Sequence, residues 1–167
     1  MPGDGIKERR MRKGLCMILA AALLFGAALA ETEAILPGGT YRMLVPDGMT
    51  YSAPETGAAE IHAWFSDELE INYTAYPRAV LFQTGEAQTL QALAEKRIEA
   101  GENVEIRDVN GIPMLVYRMV DEADGAPGIG YLFEDGSRII EILFWYATQA
   151  AADRTGDIIA SVQRIQD

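Results

Sequence analysis

Residues 104–146 read VEIRDVNGIPMLVYRMVDEADGAPGIGYLFEDGSRIIEILFWY, and the fold is decided there. Asn110-Gly111 separates two β-like runs, Val104 to Val109 and Ile112 to Val120. Both central positions of a type I′ turn need positive φ, which Asn tolerates and Gly accepts freely, so a hairpin is expected. Pro113 has no amide hydrogen, which predicts that its side of the strand's start is unpaired. Asp121 to Pro127 reads as a polar loop, Gly128 to Phe133 as another strand, and Glu134-Asp135-Gly136-Ser137 as the turn into Arg138 to Tyr146. That last run is apolar on both faces: Ile139, Leu143 and Trp145 point one way, Ile140, Ile142, Phe144 and Tyr146 the other. A strand of this kind belongs in the middle of a sheet covered on both sides.

Working outward, residues after the last strand form an apolar stripe at helical spacing, Ile158, Ile159, Val162 and Ile165, with Thr148 placed to cap it and Gly156 as a mild penalty inside. Upstream, Leu90, Leu93, Ala94 and Ile98 recur at three- and four-residue intervals, which predicts an amphipathic helix over 86–101 that Gly101 ends. Before it, Ile61 to Phe65 and Leu69 to Tyr76 alternate around a polar turn and predict a hairpin with one buried face. Tyr41 to Val45 reads as a first strand running into Pro46-Asp47-Gly48, while residues 31–39, ETEAILPGG, read as a tether. The sum is an α+β domain over residues 40–167: an antiparallel sheet of about six to seven strands with a helix packed on each face, an α/β/α sandwich.

The opening YRMLVPDG, the hairpin VNGIPMLVYRM, the second hairpin GYLFEDGSRIIEILF and the closing IIASVQRI together resemble the Mog1/PsbP-like fold group, which includes small exported bacterial domains. The resemblance covers roughly Tyr41 to Ile165. It implies the sandwich fold and, by analogy, an accessory or binding role; no family functional residue carries over, because these segments encode turns and core strands rather than a site.

The first thirty residues have the three parts of an export signal. Lys7, Arg9, Arg10, Arg12 and Lys13 form a basic start, residues 15–30 an apolar run of sixteen, and Ala28-Leu29-Ala30 a small-x-small cleavage pattern. A bilayer core needs roughly 20 apolar residues, so cleavage after Ala30 is expected and a membrane connection only through an uncleaved leader. The sole cysteine, Cys16, lies in that leader, so the mature chain must hold together by burial without disulfides. Of 14 Lys/Arg and 25 Asp/Glu the leader takes five and two, leaving nine and 23 and a net charge of −14. Such a surface repels phosphate backbones and anionic lipid, so no nucleic-acid partner is expected, and cationic partners, metal ions or plain solubility are favoured. A secreted monomer with a protein or a small envelope ligand as partner is the expectation.

No reactive constellation stands out, and no catalytic residue is assigned. His62 is the only histidine, sharing a strand face with Glu60 and Trp64, and there is no G-x-S-x-G elbow. A hydrolase or calcium-dependent enzyme using His62 and nearby carboxylates is the alternative reading. Asp121, Glu122 and Asp124, beside Gly125, supply hard oxygen ligands for calcium but at the wrong spacing for an EF-hand, so a solvated loop is the competing reading. His62, Trp64 and Tyr76 are the candidate ligand-binding residues; Trp64, Tyr73 and Tyr76 of the first hairpin with Phe133, Trp145 and Tyr146 of the second are the aromatics expected around a groove for a sugar or peptide, with core packing as the competing reading. No cofactor is expected, and a non-enzymatic binding module is the leading functional class.

Overall fold

The computed structural model describes residues 30–54, 61–81 and 89–166. Residues 1–29 of the expected leader lie outside these, as do Glu60 and residues 86–88 of the expected helix. Residues 32–167 form one compact unit. In chain order its elements are β1 (Glu31–Ile35), β2 (Tyr41–Pro46), β3 (Thr50–Ser52), β4 (Ile61–Phe65), β5 (Leu69–Pro77), α1 (Arg78–Leu81), α2 (Leu90–Glu99), β6 (Val104–Val109), β7 (Ile112–Val120), β8 (Pro127–Asp135), β9 (Arg138–Tyr146), α3 (Gln149–Ala160) and β10 (Gln163–Arg164).

The turn at 110–111 is built as its residue types require: Asn110 and Gly111 take φ of 53° and 79°, and the Gly111 amide donates to Asp108 Oδ1 at 3.0 Å. Pairing of β7 with β8 starts at Leu115↔Leu132, so Pro113 lies beyond the reach of that ladder, where its missing amide hydrogen costs nothing. The main sheet has the order β3-β4-β5-β9-β8-β7-β6, with every adjacent pair antiparallel. β9 lies between β5 and β8, and Ile139, Ile140, Ile142 and Phe144 are fully buried, as expected of a strand apolar on both faces.

Strand alternation divides the core in two. Ile140, Ile142 and Phe144 join Ile71, Tyr73, Tyr131 and Phe133, together with Tyr41 and Met43 of β2 and Ala151, Ile158 and Ile159 of α3. Ile139 joins Leu115, Tyr117 and Leu132, together with Leu90 and Ala94 of α2. Thr89 caps α2 by accepting from the Ala92 amide at 3.1 Å, so the helix begins at Leu90. Gly101, at φ 86°, follows its C-terminus. Thr148 caps α3 in the same way through the Ala151 amide at 3.2 Å.

Two expectations need correction. Residues 31–35 are strand β1 rather than tether, and Leu36 beyond them is 1% exposed in the core. The polar pattern ETEAI misled because it has no buried face of its own. β1, β2 and β10 form a separate three-stranded sheet in the order β1-β2-β10 rather than joining one sheet with the rest, so β2 is a middle strand, and β7 lies between β6 and β8. The edges of the main sheet are β3 and β6. In the β4–β5 hairpin, Trp64↔Ile71 and His62↔Tyr73 place His62 and Trp64 on the buried side, while Ile61 and Phe65 are exposed.

Candidate functional site

On the face of the sheet that meets α2, strand β8 presents Gly128 and Gly130 in register with Met119 and Tyr117 of β7 and with Trp145 and Leu143 of β9. A Cβ on Gly130 would collide with the Tyr117 ring, and one on Gly128 would come within 2.7 Å of Trp145 Cε3. Neither glycine is there for its torsion angles; both are there so that a neighbouring ring can lie flat across the strand. The Tyr117 ring thus crosses β8 and its hydroxyl donates to Glu141 Oε1 on β9. From above, Arg97 of α2 places its guanidinium 4.7 Å from the centre of the Tyr117 ring. Glu102 fixes that guanidinium, accepting from Arg97 Nε at 2.7 Å.

Between α2 and the sheet these residues leave a cleft of about 450 Å³, lined by Tyr76, Leu93, Arg97, Tyr117, Met119 and Glu141 among others. Leu93, Met119 and the aromatic faces supply apolar wall, and two phenols, the carboxylates of Glu102 and Glu141, the Arg97 guanidinium and Lys96 supply the polar points. Burial pushes the Tyr117 hydroxyl well above the ordinary tyrosine value, and the charge of Glu141 and the hydrogen bond to it push the same way against the pull of Arg97. Tyr76 is pushed up likewise, by burial first and Glu141 second. Both phenols therefore stay protonated, and the Tyr117 proton is already given to Glu141. The chemistry available is recognition: donors, acceptors and apolar contact.

The three ligand-binding candidates are not together. Tyr76 is in this cleft, whereas His62 and Trp64 lie on the opposite face with Tyr51 and Tyr73. The Tyr51 hydroxyl and His62 Nδ1 are 2.7 Å apart in a hydrogen bond, and Tyr51 packs 5.2 Å from the Trp64 ring and 6.2 Å from His62, centre to centre. Tyr73 meets His62 edge-on at 6.0 Å. Among the described residues no carboxylate lies within ion-pair distance of His62.

The acidic loop serves its own backbone. Asp121 Oδ1 accepts from the Ala123 amide at 2.7 Å and Asp124 Oδ1 from the Ala126 amide at 2.9 Å, while the Asp121 amide closes the loop onto the Ala126 carbonyl at 2.8 Å. Among the described residues no group of three or more His, Cys, Asp or Glu side chains is arranged to hold a metal ion. Sequence reasoning passed over Tyr117, Glu141, Arg97 and Met119. The available signal was Gly128-x-Gly130, two glycines on one face of a strand, which marks a close approach from a neighbour.

No protein-family model matches the chain, and no curated protein matches it. Among solved structures, it is similar to the solution structure of cyanobacterial PsbP (CyanoP) from Synechocystis sp. PCC 6803, with a TM-score of 0.57 and 11% identity over 84% of this chain and 96% of that one. It is also similar to a crystal structure from Bacteroides thetaiotaomicron VPI-5482, with a TM-score of 0.54 and 12% identity over 81% of this chain. The chain spans 48%, about half, of the Bacteroides chain. At these identities the likeness shows the fold alone, and at that level the chain is PsbP-like, an α+β arrangement of antiparallel sheets.

Proposed function

We propose that this PsbP-like chain is an exported, non-enzymatic binding or accessory module of a bacterial cell envelope, and that its ligand occupies the cleft between α2 and the main sheet. The observation that carries the reading is the convergence of Tyr117, Tyr76 and Glu141 on an open volume of about 450 Å³ with Leu93 and Met119 for walls. A small envelope ligand with an apolar body and a group that both donates and accepts hydrogen bonds suits such a site better than a reacting substrate does. Supporting the finer architectural reading, an α/β/α sandwich, α2 and α3 contribute to separate core clusters that take alternate residues of β9. Export is part of the same proposal: β1 begins at Glu31, directly after the expected cleavage point. A mature mass beginning at Glu31 would support it, and a retained leader would count against it.

The competing enzymatic reading has less behind it, since the partners of His62 among the described residues are aromatic rings and a phenol. The test is a thermal-melt panel of cell-wall glycans, short peptides and lipid-derived amphiphiles. A true ligand at a hundred times its Kd adds about 2.7 kcal/mol and raises Tm by several degrees. Met119→Trp, which fills the cleft from a partly exposed position, should abolish the shift. A shift that survives Met119→Trp unchanged places the ligand elsewhere.

A further inference from the structure

A second cleft, on the other face of the main sheet, has a different chemistry. It has a volume of about 290 Å³ and lies between α3 and strands β6 to β9, lined among others by Arg107, Arg118, Tyr131, Tyr146, Asp153 and Gly156. Tyr131 is 1% exposed, and the charges of Arg107 and Arg118 act on its hydroxyl. Arg107 spends part of its guanidinium on Glu105 across one residue of β6. Arg118 has no carboxylate within ion-pair distance among the described residues, although acidic residues outnumber basic ones 25 to 14 in the chain. Asp153 on the helix side is engaged by Gln149, which donates to its Oδ1 at 2.7 Å.

The helix wall carries an independent sign of a purpose. Gly156 lies inside α3, where glycine weakens a helix, and a Cβ there would meet nothing within 4 Å. Its torsion angles are ordinary, so neither packing nor backbone conformation asks for glycine. What the missing side chain supplies is room in the cleft it lines.

We propose that this cleft binds a small organic carboxylate, whose oxygens are taken by the guanidinium groups of Arg118 and Arg107 with the Tyr131 hydroxyl, and whose hydrocarbon body lies against Ile129 and the ring of Tyr146. A guanidinium offers paired N–H groups at the spacing of carboxylate oxygens. Asp153 on the same wall repels a doubly charged phosphate more than a singly charged carboxylate, which decides between the two oxyanions. Burial raises the Tyr131 hydroxyl above the ordinary tyrosine value and the two arginines oppose it, so it remains a protonated donor at neutral pH. The site is separate from the α2 cleft and stands or falls without it.

The experiment is an amide NMR titration of the full chain with benzoate, with benzamide as the neutral isostere and inorganic phosphate as the second oxyanion. Saturable benzoate shifts at the Arg118, Tyr131 and Gly156 amides are expected, with benzamide at least tenfold weaker. Arg118→Ala should weaken benzoate at least tenfold and Arg118→Lys by less, since the lysine keeps charge but not the fork; the residue is exposed, so the fold tolerates both. Gly156→Leu should block the shifts while the melt stays within a few degrees of the parent chain. Equal binding of benzamide, phosphate binding as tight as benzoate, or full benzoate affinity in Arg118→Ala would each overturn the assignment.

Discussion

Two sets of aromatic and polar side chains face opposite sides of the same sheet, and only one encloses space. Tyr51 lies between His62 and Trp64 across β3 and β4, stacked on the first and tilted against the second, with its hydroxyl joined to His62, so the rings fill the space between them. Tyr76 and Tyr117 instead stand around an opening, and the Tyr117 hydroxyl reaches across β8 to Glu141. The difference lies in the backbone beneath. Gly128 and Gly130 have no Cβ, so neighbouring rings lie down on β8 and α2 stands over them, whereas β3 and β4 carry a side chain at every described position. Aromatic content alone does not make a groove; a ring needs somewhere to lie other than on another ring.

The largest expected effect separates the two sets by stability. Trp64 is 8% exposed and packs in the main core cluster, so Trp64→Ala should cost about 3 kcal/mol. Urea unfolding measures the cost, and ligand binding in the α2 cleft should survive it at temperatures where the variant is folded. Loss of binding in the folded variant would mean that the two faces are coupled. Next in size is Gly130→Ala, whose methyl group must displace the Tyr117 ring. Overpacking at this point should cost about 2 kcal/mol and, unlike Trp64→Ala, remove binding in the cleft as well. A Gly130→Ala chain as stable as its parent would show that the ring moves freely and that the cleft is not held open by it.

What the sequence made legible follows from the range of the interactions concerned. The turn at Asn110-Gly111, the Thr148 cap and the double-sided β9 are local or periodic, so residues a few positions apart suffice to read them. β1 and β10 were not legible, because ETEAI and a two-residue strand carry no period and become strands only by pairing with β2. The assignment of His62, Trp64 and Tyr76 to one groove failed on parity: Tyr73 opposes His62, and Tyr76, three residues on, faces the other side. Tyr117 and Glu141 meet across an intervening strand, a contact that depends on the order β9-β8-β7 and on a glycine between them.

A smaller effect probes the hydrogen bond that marks the cleft. Tyr117→Phe leaves Glu141 without its donor and should cost about 1 kcal/mol at neutral pH, less than a fully buried charged bond because Glu141 is only half-buried. The alkaline limb is more diagnostic. Tyr117 has its value raised above 10.0, so the unfolded chain loses that proton first as pH rises. The stabilisation is whole below pH 10 and is lost above it, with a slope of up to about 1.4 kcal/mol per pH unit for each such tyrosine. Tyr73, Tyr76 and Tyr131 are raised too, so the parent chain should lose stability steeply above pH 10 and Tyr117→Phe more gently. Equal slopes would place Tyr117 in a more open setting than the cleft provides.

The smallest effect belongs to the other set. Tyr51 is 50% exposed, and its bond to His62 competes with water on both sides, so Tyr51→Phe should change stability by about 0.5 kcal/mol or less. The phenyl ring keeps the contact with Trp64, so the stack persists and binding in the α2 cleft is untouched. This near-silent substitution is also the sharpest comparison of a stack with a site. If His62 served as a general base, the phenol bonded to its Nδ1 would set its orientation and tautomer, and removing the hydroxyl would lower any hydrolytic activity of the chain by tenfold or more. A hydrolase assay in which Tyr51→Phe loses activity while keeping its melt would move the functional centre from the α2 cleft to β3 and β4. Unchanged behaviour in both assays leaves that stack as packing at a sheet edge.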